Sequence, residues 1–315
     1  MALFKYILKR ILRSLLTLIL ILSIVFILVR LMPIDGYFDN YDKMTEQQIQ
    51  NGLHQLGLDQ PIFVQLWNFF KNMILHGDFG TSNVYRKNVA VMEIIGPKLP
   101  VSIRLGCLSL LLSLLVGLPV GTLMARYKWC DNLGTIFIVL IQAVPAAVYY
   151  LFIQLIGINV MGSTALKYTA DVLESWILPI ISMALGNIAY YAMWLRRYMV
   201  DERNKDYIML ARIKGASETR IMFRHVFKNA FVPMVQYLPT SFLNTVIGSI
   251  YIEALYSIPG MGGLLVDVIK KQDNAMIQAI VLLYAFVGVI GLLLGDLLMG
   301  IMDPRISFVK KGGDR

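Results

Sequence analysis

Six stretches of the chain stay predominantly apolar for about 20 residues or more, the length an α-helix needs to cross the roughly 30 Å hydrocarbon core of a bilayer. They lie near Ile11–Leu31, Leu99–Ala125, Leu133–Ile158, Ile177–Leu195, Phe231–Ile252 and Ala275–Ile301. The pattern predicts an all-α membrane protein with six transmembrane helices. The polar positions fall into a long segment, 32–98, a second one at 196–230, and short connections elsewhere.

The segment 32–98 carries folding signals of its own. Thr45 followed by Gln48 is a capping-box pattern for a helix through about Leu56, with Gly57 suited to its C-terminal cap. Asp59-Gln60-Pro61 opens a second helix, in which Ile62, Leu66, Phe69, Phe70 and Met73 recur at helical spacing until Gly77. Two amphipathic helices would form a scoop or lid; a loop that simply packs on the spans is the alternative. Beyond them, His76 to Ser82 is a cluster of turn residues. Within the spans, Pro119, Pro145, Pro179, Pro233 and Pro239 are expected to bend or interrupt helices. Gly117-xxx-Gly121 and Gly291-xxx-Gly295 offer close helix approaches.

Composition agrees with this reading: 57% of the 315 residues are hydrophobic and only 16% charged, against about a quarter charged in soluble domains. The apolar run after Arg13 is longer than the core of a signal peptide and lacks a small-residue cleavage site, so residues 1–31 are expected to remain as an anchoring first span. The net charge of +9 could suggest nucleic acid, but its distribution follows membrane topology, where Lys and Arg concentrate on the cytoplasmic side. Lys5, Lys9, Arg10 and Arg13 precede the first span, and Arg126 and Lys128 follow the second. Arg196, Arg197, Arg203, Lys205, Arg212, Lys214, Arg220, Arg224 and Lys228 lie between the fourth and fifth, and Arg305, Lys310, Lys311 and Arg315 close the chain. Alternate loops, with Lys167 in one and Lys270 and Lys271 in another, are poorer. Both termini are therefore expected in the cytoplasm, with residues 32–98 outside, a five-helix core over 99–301 and a cytoplasmic tail over 302–315.

The segment 196–230 reads as helix, glycine turn, helix. Ile208, Leu210, Ala211 and Ile213 give the first helix some apolar content, Gly215 ends it, and Ser217 can cap the second. Composition alone would make this a solvated positive-inside loop, but a short helix with exposed apolar residues also fits a groove on a cytoplasmic partner.

Its spacing resembles the cytoplasmic EAA loop of bacterial ABC-importer permeases, in the form used by the dipeptide, oligopeptide and nickel branch: D-Y-x-x-x-A-R-x-K-G-x-S-x-x-R, then R-H-x-x-x-N-A-x-x-P. Asp206, Tyr207, Ala211, Arg212, Lys214, Gly215, Ser217 and Arg220 stand in those places, followed by Arg224, His225, Asn229, Ala230 and Pro233. Met209 and Leu210 replace the E and first A of the loop's name. Leu56 to Ile62 and Gly77-Asp78-Phe79-Gly80-Thr81-Ser82 resemble marks of the B-type subunit. Glu253 to Gly262 resembles E-x-x-F-x-I-P-G-x-G, and Asp303-Pro304-Arg305 its closing D-P-R. The family's S-x-P-x-F in the third span is here Gln142-Ala143-Val144-Pro145-Ala146-Ala147, a departure that bears on the pathway lining.

The resemblance implies a type I ABC-importer permease fold with an external scoop, in a bacterial cell membrane. It implies a second permease subunit, two cytoplasmic ATPase subunits that bind ATP and Mg, and an external solute-binding protein. Asp206 to Arg220 would be the coupling helix, and Glu253, Pro259 and Gly260 an outer gate or partner contact. Cargo would be di- or oligopeptides, with nickel or a metal chelate as the alternative. The chain contains no G-x-x-x-x-G-K-[ST], so the ATPase site is expected elsewhere.

Single residues give less. Glu253 and Arg104 are the ionisable side chains that look most embedded, where such groups are costly and functional by default. Glu253 is read as a gate or partner contact or as a buried hydrogen-bonding group, and Arg104 as a side chain that snorkels. Asp296 lies near the inner boundary. Cys107, Cys130, His54, His76 and His225 show no metal-ligand or catalytic spacing. An ion-coupled secondary transporter would need more embedded charge and repeated halves. An intramembrane hydrolase would need a nucleophile and a base brought together, and no histidine falls within a span to serve the serine-histidine version.

Overall fold

The computed structural model describes residues 2–162, 169, 172–247 and 250–302. Lys167, the Asp303-Pro304-Arg305 motif and the basic residues Lys310, Lys311 and Arg315 lie outside the described residues. The chain groups by packing into two units, one made of residues 1–10, 102–258 and 291–315 and the other of 11–101 and 259–290.

In chain order the helices are α1 (Ala2–Arg30), α2 (Glu46–Gln55), α3 (Ile62–His76), α4 (Val91–Ile95), α5 (Leu99–Arg126), α6 (Lys128–Ala143), α7 (Ala146–Met161) and α8 (Glu174–Arg203). They continue as α9 (Asp206–Ile213), α10 (Glu218–Arg220), a π-helical stretch Ile221–Phe227, α11 (Lys228–Val235), α12 (Tyr237–Ile247), α13 (Ile250–Leu255), α14 (Met261–Lys270) and α15 (Asn274–Met302). Two short strands, β1 (Thr81–Ser82) and β2 (Val89–Ala90), pair antiparallel before α4.

Four of these helices, α1, α5, α8 and α15, are long and apolar enough to cross a membrane. Their 28 to 30 residues correspond to about 42–45 Å of helix at 1.5 Å per residue. The expected third span, Leu133–Ile158, is instead the pair α6 and α7, bent by 108°. The cause is Pro145, which pushes the residue before it out of the helical region, and Val144 is extended at φ −89°, ψ 129°. Counted as one broken span, the pair brings the total to five. The expected fifth span, Phe231–Ile252, divides at Gln236 into α11 and α12, with residues 248–249 outside the described residues; among the described residues no single helix there has the length to cross. The break at Gln236 lies one turn before Pro239, whose ring would clash with the Val235 carbonyl in a continuous helix. By contrast, α5 and α8 run through Pro119 and Pro179.

In the first unit, α5 and α8 approach closely at the Gly117-xxx-Gly121 pair. A Cβ on Gly117 would sit 3.0 Å from the Ile188 carbonyl oxygen, and one on Gly121 would sit 2.7 Å from that of Ala192. Contact this close leaves backbone against backbone, the geometry small residues permit in membrane helices. Ser113 adds a polar tie, its hydroxyl donating 2.6 Å to the Ser109 carbonyl and lying 3.2 Å from that of Ala184. Gly291 and Gly295 of α15 likewise lie against Leu243 and the Gln236 backbone. Next to Gly295, Asp296 is paired with Arg10 and accepts from Gln236 at 3.2 Å, so its charge is compensated where it is buried. Arg104 is exposed and stacks its guanidinium 4.7 Å from the Trp176 ring.

In the second unit, the segment 32–98 contains the two amphipathic helices expected of it. Thr45 accepts from the Gln48 amide while the Gln48 side chain accepts from the Thr45 amide, which closes the capping box. Gly57 and Gly77 follow α2 and α3 at φ 65° and 62°. Val91, Ile94 and Ile95 of α4 pack with Met261, Leu264 and Val268 of α14 and Met276 and Ile280 of α15. Asp273, fully buried, holds this unit together. Its carboxylate accepts from the Ser82 hydroxyl at 2.6 Å, the Val84 and Tyr85 amides at 3.1 and 2.9 Å, and the Met276 amide at 3.0 Å.

Candidate functional site

The segment from Arg196 to Ala230 is positioned by the lower half of α8. Tyr191, Leu195 and Met199 form a helical stripe that packs on Ile208 of α9, Ile221, Met222 and Val226 of the π-helical stretch, and Ala230 of α11. Ile208 is completely buried and is the anchor of α9. Ala211 and Ala216 border the same core. With Ile208 fixed inward, the helical period turns Met209, Leu210 and Ile213 outward, and they are 64%, 51% and 74% exposed. Tyr207 and, beyond the turn, Phe223 are exposed as well.

Gly215 closes α9 in the left-handed region, at φ 78°. The Ala216 amide donates to the Ala211 carbonyl at 3.1 Å and the Gly215 amide to that of Arg212 at 2.9 Å, the paired bonds of a Schellman cap. Ser217 then starts the next helix by accepting from the Arg220 amide at 3.4 Å. Arg212 reaches across the turn to Glu218, with contacts of 2.8 and 3.4 Å. Both side chains are exposed, so this pair contributes at most about 1 kcal/mol. Lys214, Arg220 and Arg224 are exposed around it.

Polar ties fix the segment to its surroundings. The Tyr207 hydroxyl bonds Glu202 at the end of α8 and accepts from the Asn229 amide at 2.7 Å. Asn229 also donates to the His225 carbonyl at 3.0 Å. Arg203 donates to the Ala125 carbonyl at 2.8 Å, a cation at the negative end of α5. Arg196 holds Asp131 of α6 in a bidentate pair, one arm at 2.6 Å. Asp206 occupies the first turn of α9, where a carboxylate favours the helix dipole.

The sequence-selected residues Asp206, Tyr207, Ala211, Arg212, Lys214, Gly215, Ser217 and Arg220 thus gather in one helix, turn and cap. Glu253 belongs elsewhere: on α13 it is 1% exposed and accepts from the Ser102 hydroxyl of α5 at 2.6 Å. The chain then turns through Ser257, at φ 55°, with the Ile258 amide returning 2.8 Å to the Glu253 carbonyl. Pro259 is exposed, while Gly260 is buried and stands at the N-terminus of α14.

Comparison with known proteins adds to this geometry. Residues 117–308, more than half of the chain, match the family described as "Binding-protein-dependent transport system inner membrane component". The chain belongs to that family. Residues 3–106 match its companion, "Binding-prot-dependent transport system membrane comp, N-term". The chain is 33% identical over 310 residues to the dipeptide transport system permease protein DppB of Lactococcus lactis, covering 96% of this chain and 99% of that one. It is also 33% identical over 308 residues to the glutathione transport system permease protein GsiC of Salmonella typhimurium, with 96% and 99% coverage. The oligopeptide transport system permease protein AmiC of Streptococcus pneumoniae is 35% identical over 215 residues, which cover 66% of this chain and 42% of AmiC. The family description and the long apolar helices together support a multi-pass membrane protein.

In this permease the exposed positions Met209 and Phe223 escape a reading by motif letters. Met209 falls at an unlettered place in the pattern, and the signal for it is the helical spacing of Met209 to Ile213 opposite Ile208. Phe223 lies in the π-helical stretch, where α-helical spacing misassigns the face.

Proposed function

We propose that this chain is the translocating subunit of an ATP-driven importer of peptides and that α9 is the surface through which a separate ATPase subunit drives it. The carrying observation is the apolar face of Met209, Leu210 and Ile213, left exposed on a short helix that Ile208, the Gly215 cap and the Tyr207 contacts hold in place. A helix pinned on one face and apolar on the other transmits displacement to α8 as a body, because both share one core. The names of the full-length relatives, dipeptide and glutathione transport permeases, favour short peptides as cargo. The remaining parts of this reading are a second permease subunit, two ATPases carrying ATP and Mg, a solute-binding protein on the side of residues 32–98, and both termini in the cytoplasm. The six-span topology is reached by counting α6 with α7 as one broken span and α11 through α13 as one further span.

The test is the double substitution Leu210→Asp and Ile213→Asp in the complex reconstituted in proteoliposomes. Burying one such side chain is worth roughly 1.5–3 kcal/mol, and introducing two carboxylates at the contact adds desolvation cost. ATPase association is expected to weaken at least about a hundredfold, with ATP-driven peptide uptake lost. Unchanged uptake and unchanged stimulation of ATP hydrolysis by the binding protein would refute the assignment.

A further inference from the structure

Most of the 15 residues of α3 are apolar, yet none of them is fully buried. At about 100° per residue, Leu66, Phe69, Phe70 and Met73 share one side and are partly buried. Phe63, Ile74 and Trp67 form the adjoining strip, within about 40° of one another, and are 78%, 72% and 71% exposed. Exposed Val64 and Leu75 continue the apolar arc past Lys71. Opposite the strip stand Gln65, Asn68 and Asn72, which border a polar cavity. A helix with amides on one side and bare aromatic rings on the other is built for a boundary between water and an apolar phase.

The point at which α3 is attached identifies that phase. Phe69, in the middle of α3, packs against Phe26 of α1 with ring centroids 5.3 Å apart. Phe26 is completely buried and lies one turn before Arg30, the last residue of α1, which is about 6 Å along the helix axis. Residues 7–30 of α1 are long and apolar enough to cross the membrane, and Leu20, Ile24 and Leu28 on that helix are left bare. Hydrocarbon therefore reaches α1 up to its last turn. There the Arg30 guanidinium lies over the Phe26 and Tyr37 rings, at 4.8 and 5.2 Å, a cation suited to the depth of the lipid phosphates. The Phe26 contact holds α3 within about 6 Å of the end of the span, and interfacial helices bury their apolar faces about 5–10 Å into the boundary of head groups and acyl chains.

Residue types agree with that depth. Tryptophan is enriched at the membrane interface, and Trp67 stands on the exposed strip. Lys71, about 40° beyond Trp67 around the helix, is exposed and can lay its stem along the acyl chains with the ammonium at the phosphates. We infer that α3 is an interfacial helix, with its strip of Phe63, Trp67 and Ile74 lying in the lipid leaflet at the Arg30 end of α1 and its amide side facing water. The inference rests on α1 crossing the bilayer and is independent of what the permease carries.

The experiment uses the full-length chain in lipid nanodiscs and reads Trp67 as the difference in fluorescence between the wild type and Trp67→Phe. Lipids brominated near the head-group end of the acyl chain should quench this component at least about twofold more than lipids brominated near the terminal methyl, and aqueous iodide should quench it at least about fivefold less than free tryptophan. In a second arm, Phe63→Ser combined with Trp67→Ser should let trypsin cut after Lys71 at least about tenfold faster, because the lost apolar contact frees α3 from the leaflet. Phe63→Leu combined with Trp67→Leu should be cut at close to the wild-type rate. Iodide quenching of Trp67 at the free-tryptophan level without quenching by brominated lipid overturns the inference. So does cleavage of the serine variant at the wild-type rate. Iodide quenching that disappears only when the solute-binding protein is added also overturns it, and assigns the strip to protein docking. Should the serine variant fail to fold, the quenching comparison decides alone, since it needs only Trp67→Phe at an exposed position.

Discussion

Replacing Gly215 tests how tightly the end of α9 is specified. At φ 78° the residue sits in the left-handed region, and a Cβ built there meets nothing within 4 Å. Any penalty is therefore torsional rather than steric against neighbours. For an ordinary L-residue that penalty is about 1–2 kcal/mol. Replacing glycine by alanine also stiffens the open chain, which returns about 0.4–1 kcal/mol. The net cost for Gly215→Ala is about 1 kcal/mol, or roughly a fivefold rise in the population of turns that have lost the bonds to Ala211 and Arg212. Gly215→Val should cost more, since a β-branched residue is a true outlier there, and Gly215→Asn less. Hydrogen exchange at Ala216, read by mass spectrometry, reports the open population directly, and ATP-driven uptake should fall in the same order. If the alanine and valine variants exchange at the wild-type rate, or asparagine protects no better than valine, the torsional argument is wrong.

Asp273→Ala should lower the thermal midpoint of the purified chain and release the 80–86 segment to proteolysis, because it orphans one buried hydroxyl and three amides at about 1–3 kcal/mol each; Asp273→Asn, which keeps one acceptor oxygen, should lose less. Gly121→Leu should destabilise the α5–α8 contact by about 1–3 kcal/mol or more through overpacking, while Gly288→Ala, where no atom lies within 4 Å of the new Cβ, should be neutral or gain up to about 1 kcal/mol of helix propensity; unfolding in mixed detergent separates the two. The exposed His54–Asp59 pair, 2.7 Å apart, raises the His54 pKa chiefly through the hydrogen bond to Asp59 and lowers that of Asp59 through the bond from His54. Its contribution is present between the two values: it is lost as pH rises through the raised His54 pKa and as pH falls through the lowered Asp59 pKa. A His54→Asn variant should abolish the alkaline part of that dependence in an NMR titration of the α2–α3 turn.

Features set by neighbours in sequence were legible there. The Thr45 capping box, the glycine ends of α2, α3 and α9, and the Ser217 cap depend on contacts within six residues, and they form where the residue types place them. Pro145 marked a disruption without giving its size; the 108° turn depends on how α6 and α7 then pack on α8. The outward face of α9 was ambiguous in the sequence, because Ile208, Leu210 and Ile213 are all apolar in a helix of eight residues. Only the burial of Ile208 against α8 and the π-helical stretch decides which of them remain outside. Asp273 with Ser82, and Arg10 with Asp296, join residues 191 and 286 positions apart, a distance over which no local pattern operates.

The π-helical stretch Ile221–Phe227 makes chain length a tuning variable here. A π-turn is an α-helix that has absorbed an additional residue. Deleting one residue between 221 and 227 would let this turn relax to regular α geometry with the flanking helix kept in register, whereas deleting one from α11 would rotate everything on one side by about 100° and shift it by about 1.5 Å. The Ile221, Met222 and Val226 face that seats α9 would then turn away from the α8 stripe. Relatives that differ by a single insertion or deletion beside this stretch would hold the same motif letters with α9 aimed in a different direction, so matching a permease to its ATPase is a question of residue count as much as of residue identity.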